Sequence, residues 1–299
     1  MPIFINLLLS AIRPITFFLP CAAVILGAGL AAFNGVVDGG LFISLLILTI
    51  VGQVTFNLAN DYQRAFITAA QKAKIKANSE ILYKTRKQML QLILGCFLTM
   101  IFSLGLLSFA AINGSGIALL IIAFYAFLML SVLRQKSKKA KPLYAKLTIV
   151  NALVYATLSA VIPLTLTYYL HTAQLPIDVV IVAIIAGLVS LMLLLSEQIK
   201  EQIIAHTPVV AEQMPKQIST QLLQQKVIII ISAIATLLFI YFAYLPLTAG
   251  LFIMALPSLY ATIMTLEHYP ESDVAQSQTT KTAIAGFAYW VLFTIGLML

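Results

Sequence analysis

The sequence predicts an all-α polytopic membrane protein with about nine transmembrane helices, and three observations carry that expectation. Apolar residues make up 61% of the chain and charged residues only 9%, with a mean hydropathy of +1.02. A soluble domain carries about a quarter charged residues, so water is not the main solvent here. Long uncharged apolar runs recur from end to end, and the cations are confined to segments between alternate runs.

Crossing about 30 Å of hydrocarbon takes about 20 helical residues. Runs of that kind stand at 14–33, 41–60, 89–111, 116–133, 147–170, 177–197, 226–245, 249–266 and 282–299. The seventh and eighth also read as one re-entrant pair around Pro246. The first run is not read as a cleaved signal peptide, because Arg13 is its only early cation and further spans follow. With no Pro/Ser/Gly linker and no low-complexity tract, residues 1–299 form a single membrane domain.

Nine spans alternate the loops between two sides. All 18 Lys and Arg fall on one of them: Arg13, the cations of 64–87, 134–146 and 200–226, and Lys281. Random placement gives so complete a bias about once in thirty trials, so the positive-inside rule puts the N-terminus in the cytoplasm and the C-terminus outside. The other side holds short turns such as NGVVDGG, NGSG and HTAQLP. The net charge of +8 therefore speaks for membrane topology and not for nucleic acid. Cys21 and Cys96 fall inside apolar runs and read as small hydrophobes, and His171, His206 and His268 are too scattered for a ligand cluster.

Ionisable residues deep in a membrane mark ion or proton paths. The span centres have none, which disfavours an ion-coupled transporter. The polar residues collect at span ends instead. Every even-numbered span closes on the cationic side with a polar collar: NLANDY, SVLRQK, LSEQIK and TLEHYP. Two collars are informative. Gln53, Asn57, Asn60, Asp61 and Arg64 end the second span at spacings of three, four and seven, which share one helical stripe. Ser190, Glu197, Lys200 and Glu201 end the sixth, with the two glutamates one turn apart. Mg²⁺ takes oxygen ligands, often one or two carboxylates completed by substrate phosphates, so two such ends facing each other can hold a diphosphate. The alternative is that each end only caps its helix at the lipid headgroups.

Three segments give the chain a resemblance to a known family. IRPITFFLPCAAVILGAGLA with its Arg13-Pro14 start, NLANDY with Asn57, Asn60 and Asp61, and TYYLHT at Thr167–Thr172 resemble segments of the intramembrane aromatic prenyltransferases. Within that family the likeness is to the dihydroxynaphthoate polyprenyltransferases of menaquinone synthesis, where the last stretch reads Gly-Thr-Tyr-Tyr-Leu-Gln-Thr. The resemblance implies nine helices around a central cavity open to the cytoplasm. It implies transfer of a polyprenyl group from a polyprenyl diphosphate to an aromatic acceptor such as dihydroxynaphthoate, with Mg²⁺ as cofactor and membrane lipid around it.

On that pattern Asp61 and Glu201 are the catalytic acids and metal ligands, and Glu197 is a third ligand. Arg13, Asn57, Asn60, Lys72 and Lys200 meet the substrate, with Lys74, Lys76 and Arg86 as further phosphate candidates. Tyr168 and Tyr169 are expected as anchors in the outer aromatic belt. The chain also departs from the family. Arg64 and Ala65 stand where a second acid follows the first motif, a Gly-Pro-x-Arg segment is missing, and Ala205 replaces the last acid of the second motif. Glu197 can supply that carboxylate from a turn earlier. Two other readings remain: a prenyltransferase-fold protein that has lost catalysis and binds lipid or a membrane partner, and a transporter of an amphipathic lipid.

Overall fold

The computed structural model of the protein describes residues 14–73, 79–112, 123, 149–205 and 215–299, apart from the side chains of 59–86, 88–89, 108, 110–112, 149 and 205. The described residues are helical with no strand, and they contain eight helices long and apolar enough to cross a membrane. After a 3₁₀ turn at Pro14–Phe17 come α1 (Phe18–Phe33), α2 (Gly39–Ala73) and α3 (Ser79–Ile112). Helix α4 joins Ile149–Ala156, a π-helical turn at Thr157–Val161, and Ile162–Thr172. Then follow α5 (Ile177–Ala205), α6 (Lys216–Phe242), α7 (a 3₁₀ stretch Leu247–Ala255 continued by Leu256–His268) and α8 (Ser272–Met298). The expected span at 116–133 and Arg13 lie outside the described residues.

Helix α1 is the axis of the bundle. A helix that is apolar all round belongs in the interior, and α1 buries most of its length, from Leu19 to Ala31. Two glycines let its neighbours close in. A Cβ on Gly27 would come within 2.6 Å of the Leu164 carbonyl oxygen of α4, and one on Gly29 within 2.2 Å of Thr294 Cγ2 of α8. Close backbone approach at small residues replaces the hydrophobic drive that lipid does not supply.

The outer helices are apolar on both faces. On α3, Ile93, Phe97, Met100 and Leu104 point inward, while Leu94, Leu98, Phe102 and Leu106 form an exposed stripe at i, i+4 spacing. That stripe is the surface for lipid.

Three features differ from the expected spans. Helix α6 begins at Lys216, ten residues before the apolar run at 226 (226 − 216), because Ile218, Gln221, Leu222 and Gln225 all face inward. Its early turns are polar yet buried, so hydropathy missed them. Helices α6 and α7 are separate spans joined by a short turn at Ala243–Pro246, which excludes the re-entrant pair. In α4, Pro163 lies inside a continuous helix. A proline clashes with the carbonyl four residues back, here Ser159, and the π turn that contains Ser159 widens the helix at that point.

Candidate functional site

The polar stripe read on the second span exists and is buried. Gln53 and Asn57, one turn apart on α2, are 5% and 3% exposed. Gln53 Nε2 donates to Asn57 Oδ1 at 3.2 Å, and Asn57 Nδ2 donates to Thr16 Oγ1 at 2.7 Å. Each amide is spent on a neighbour, which is how polar groups survive in a membrane interior. Helix α2 runs unbroken to Ala73, so Asp61 follows Asn57 by one helical turn. The side chains of Asn60, Asp61, Lys72 and Arg86 lie outside the described residues, as do Lys74 and Lys76.

The α5 end is arranged differently. Glu197 is 5% exposed, and Lys200 Nζ lies 2.5 Å from its Oε2. The lysine, from the next turn of the same helix, neutralises the carboxylate. Glu201 is half-buried. Gln198, also buried, accepts a hydrogen bond from Gln221 Nε2 at 3.0 Å, and Gln225 Nε2 reaches Ser196 Oγ and the Met192 carbonyl at 2.8 and 3.0 Å. Ser196 continues the chain to Thr282 and Thr262, so α5, α6, α7 and α8 share one polar seam. Among the described residues Gln198 Nε2, Gln221 Oε1 and Gln225 Oε1 have no partner.

Helices α2 and α5 pack about a residue that sequence reading did not single out. Tyr155 of α4 is fully buried, its ring 6.5 Å from that of Phe56, the neighbour of Asn57. Helix α5 packs against the same first turns of α4. Phe56, Leu58, Tyr155 and Leu194 belong to one buried cluster, so α2 and α5 meet through the first turns of α4. The signal for Tyr155 was faint, one aromatic in an apolar run.

Beside Gln53 lies a cavity of about 40 Å³. Pro20 of α1, Thr49 and Gln53 of α2, Met100 of α3, and Leu158 and Thr167 of α4 help line it. Its volume admits about three waters, so an isoprenoid chain enters only as the helices part.

Tyr168 and Tyr169 correct an expectation. They are 4% and 3% exposed, and Tyr168 OH accepts a hydrogen bond from Asn34 Nδ2 at 2.8 Å. They hold helices together and do not anchor the chain in an aromatic belt. Their place is on the buried side of α4, which their sequence position near a helix end concealed.

Mg²⁺ is a demanding guest for the donors described. Among the described residues no three His, Cys, Asp or Glu side chains converge, and the buried carboxylate of Glu197 is held by Lys200.

The sequence matches no protein-family model and no curated protein. A solved structure does match: a membrane-embedded digeranylgeranylglyceryl phosphate synthase, similar over 99% of this chain and 99% of its own, with a TM-score of 0.59 and 12% sequence identity. At that identity the likeness is one of fold. The bundle shares the fold of that synthase.

Proposed function

We propose that the protein transfers a polyprenyl group from a polyprenyl diphosphate to an aromatic acceptor, in quinone synthesis of the menaquinone type. The observation that carries the reading is the packing of α2 and α5, each ending in a polar collar, about Tyr155 beside a small cavity, in a bundle with the fold of the similar synthase. The similar structure's own product is, by its name, a glyceryl phosphate, so the aromatic acceptor rests on the resemblance of Thr167–Thr172.

In this reading the bond between the allylic carbon and the diphosphate breaks, and the diphosphate leaves with the electron pair. The allylic carbon bonds to the electron-rich ring, which then loses a proton. Asp61 and Glu201 would hold Mg²⁺, and Glu197 would join them only by releasing Lys200. Bound there, the metal supplies charge to the leaving group. Lys200, freed from Glu197, meets phosphate oxygens as a point charge. Arg13, Asn60 and Lys72 are proposed on the same substrate, and Asn57 holds the α2 end in place through Thr16 and Gln53.

The site faces the cytoplasm on the orientation set by the cations. A cysteine at Ser137 should then be labelled only from the cytoplasmic side, and one at Ser115 only from outside. For the activity, membranes containing the protein are incubated with labelled polyprenyl diphosphate and dihydroxynaphthoate, with and without Mg²⁺. Metal-dependent formation of a prenylated product is expected. Its absence at every metal concentration favours a second reading, a prenyltransferase-fold protein without catalysis. The Glu197–Lys200 pair and Ala205 at the place of an acid speak for that alternative.

A further inference from the structure

His171 has no part in the function proposed above, and it stands where TYYLHT departs from the glutamine of the family pattern. It occupies the last turn of α4, at the end opposite the polar collars. Both of its ring nitrogens face main-chain carbonyl oxygens. Nδ1 lies 2.7 Å from the Thr167 oxygen and Nε2 3.3 Å from the Asp38 oxygen. A carbonyl oxygen only accepts, so each contact needs an N–H, and a neutral imidazole has one. At 2.7 Å the Nδ1 contact claims that proton, because two lone pairs at such a distance repel. The contact to Asp38 is then a hydrogen bond only when the ring carries a second proton.

Asp38 closes the turn between α1 and α2. Its Oδ1 accepts from the Leu41 N–H at 2.8 Å and its carbonyl oxygen from the Phe42 N–H at 3.0 Å. Gly35, at φ +78°, lets the turn fold back. Two contacts therefore tie this turn to α4: the Asn34 amide donating to the Tyr168 hydroxyl, and the His171 ring facing the Asp38 carbonyl.

We propose that the His171–Asp38 contact is a proton-dependent latch, fastening the α1–α2 turn to the end of α4 in acid and releasing it as pH rises. The protonated ring gains the partner, so the fastening is complete below the imidazole's range and lost above it. The charged surroundings are acidic. Asp38 itself is one neighbour, and Asp178 at the start of α5 lines a separate groove with Phe242 and Ala243. Helix α3 brings Leu107 to this cleft and no charge, and the Tyr168 phenol is committed to Asn34.

The latch joins two walls of the central cavity. Thr167, whose carbonyl holds His171, lines that cavity, and so does Leu45 of α2, two turns beyond Asp38. The contact thus ties the segment leading into one wall to the end of the other, and the device does not depend on what reaction the protein performs.

Hydrogen–deuterium exchange of the full chain in detergent micelles tests it, with wild type and His171→Leu compared at pH 5.5 and at pH 8. Taking the ratio of variant to wild type at each pH cancels the intrinsic pH dependence of exchange. Amides of residues 35–42 should exchange about three- to tenfold faster in His171→Leu, which has no donor, at pH 5.5, the size of one net hydrogen bond. At pH 8 the two rates should agree. His171→Gln, whose amide does not titrate, should also lose the pH dependence beyond the intrinsic one, and Asn34→Leu should loosen the same amides equally at both pH values. A His171→Leu ratio that does not change with pH overturns the proposal, as does a wild-type pH dependence that survives in His171→Gln.

Discussion

Helices α2 and α5 pack about the same tyrosine and end in opposite electrostatic designs. At the α2 end, neutral amides satisfy one another from Gln53 through Asn57 to Thr16, and the next turn of the stripe carries Asp61. At the α5 end, the acid carries its own counter-ion, since Lys200 sits on Glu197. Both ends show the same sequence signature, polar residues at i and i+4. The difference teaches that such spacing fixes which residues share a face and leaves open whether a charge is spent internally or held for a ligand. On the proposed reading the α2 end holds its acid for a ligand, while at the α5 end Glu197 is spent on Lys200 and Glu201 is left as the ligand.

The comparison breaks first at Asp61. Asp61→Asn removes a negative ligand with little change of volume, and a charge-assisted contact is worth about 1.5–3 kcal/mol. Mg²⁺-dependent diphosphate binding, followed by calorimetry, should weaken at least about tenfold. Glu201→Gln should weaken it less. Equal, large losses from both would make the ends equivalent and remove the distinction.

Next comes the scaffold of the α2 end. Asn57→Leu strips Thr16 and Gln53 of a partner in a dry interior, which costs about 1–3 kcal/mol. Thermal unfolding in detergent should fall measurably, and diphosphate affinity with it as Asp61 loses its support.

In the polar seam the effect should be smaller and confined to stability. Gln225→Met deletes two hydrogen bonds and also one unpartnered buried oxygen, so the losses partly cancel to about 1 kcal/mol or less. Prenyl transfer by the folded fraction should be unchanged. A selective loss of transfer would assign the seam to the active site.

The smallest effect is expected at Glu197. Glu197→Gln frees Lys200 and raises the local charge by one, so diphosphate binding should hold or improve slightly. A drop comparable to that of Asp61→Asn would mean that Glu197 does replace the acid missing at position 205.

The placement of the spans was the legible part of the fold. Six of the nine runs coincide closely with helices, because length and hydropathy are what a bilayer selects, while those at 226–245 and 282–299 start ten residues late, at helices that begin at Lys216 and Ser272. The start of α6 was not legible, since Gln221 and Gln225 look like loop residues until Ser196 and Gln198 face them. Helix orientation was not legible either. Met100 points inward and Phe102 toward lipid, yet both are apolar, so no periodicity separates them. In the site, the stripe Gln53–Asn57 was readable from spacing alone. Tyr155 was not, because its role comes from α2 and α5 arriving on either side of it.

The central claim is that the diphosphate end of a prenyl substrate sits where α2, α4 and α5 meet at Tyr155. A polyprenyl diphosphate carrying a photoreactive group on its first isoprene unit tests this directly, with the labelled peptides identified by mass spectrometry. The account predicts label on the peptides spanning Gln53–Asp61 and on Tyr155, displaced by excess inorganic diphosphate and weakened in Asp61→Asn. Label confined to the lipid-facing stripe of α3, or to the α5–α8 seam, and undiminished by diphosphate would contradict it.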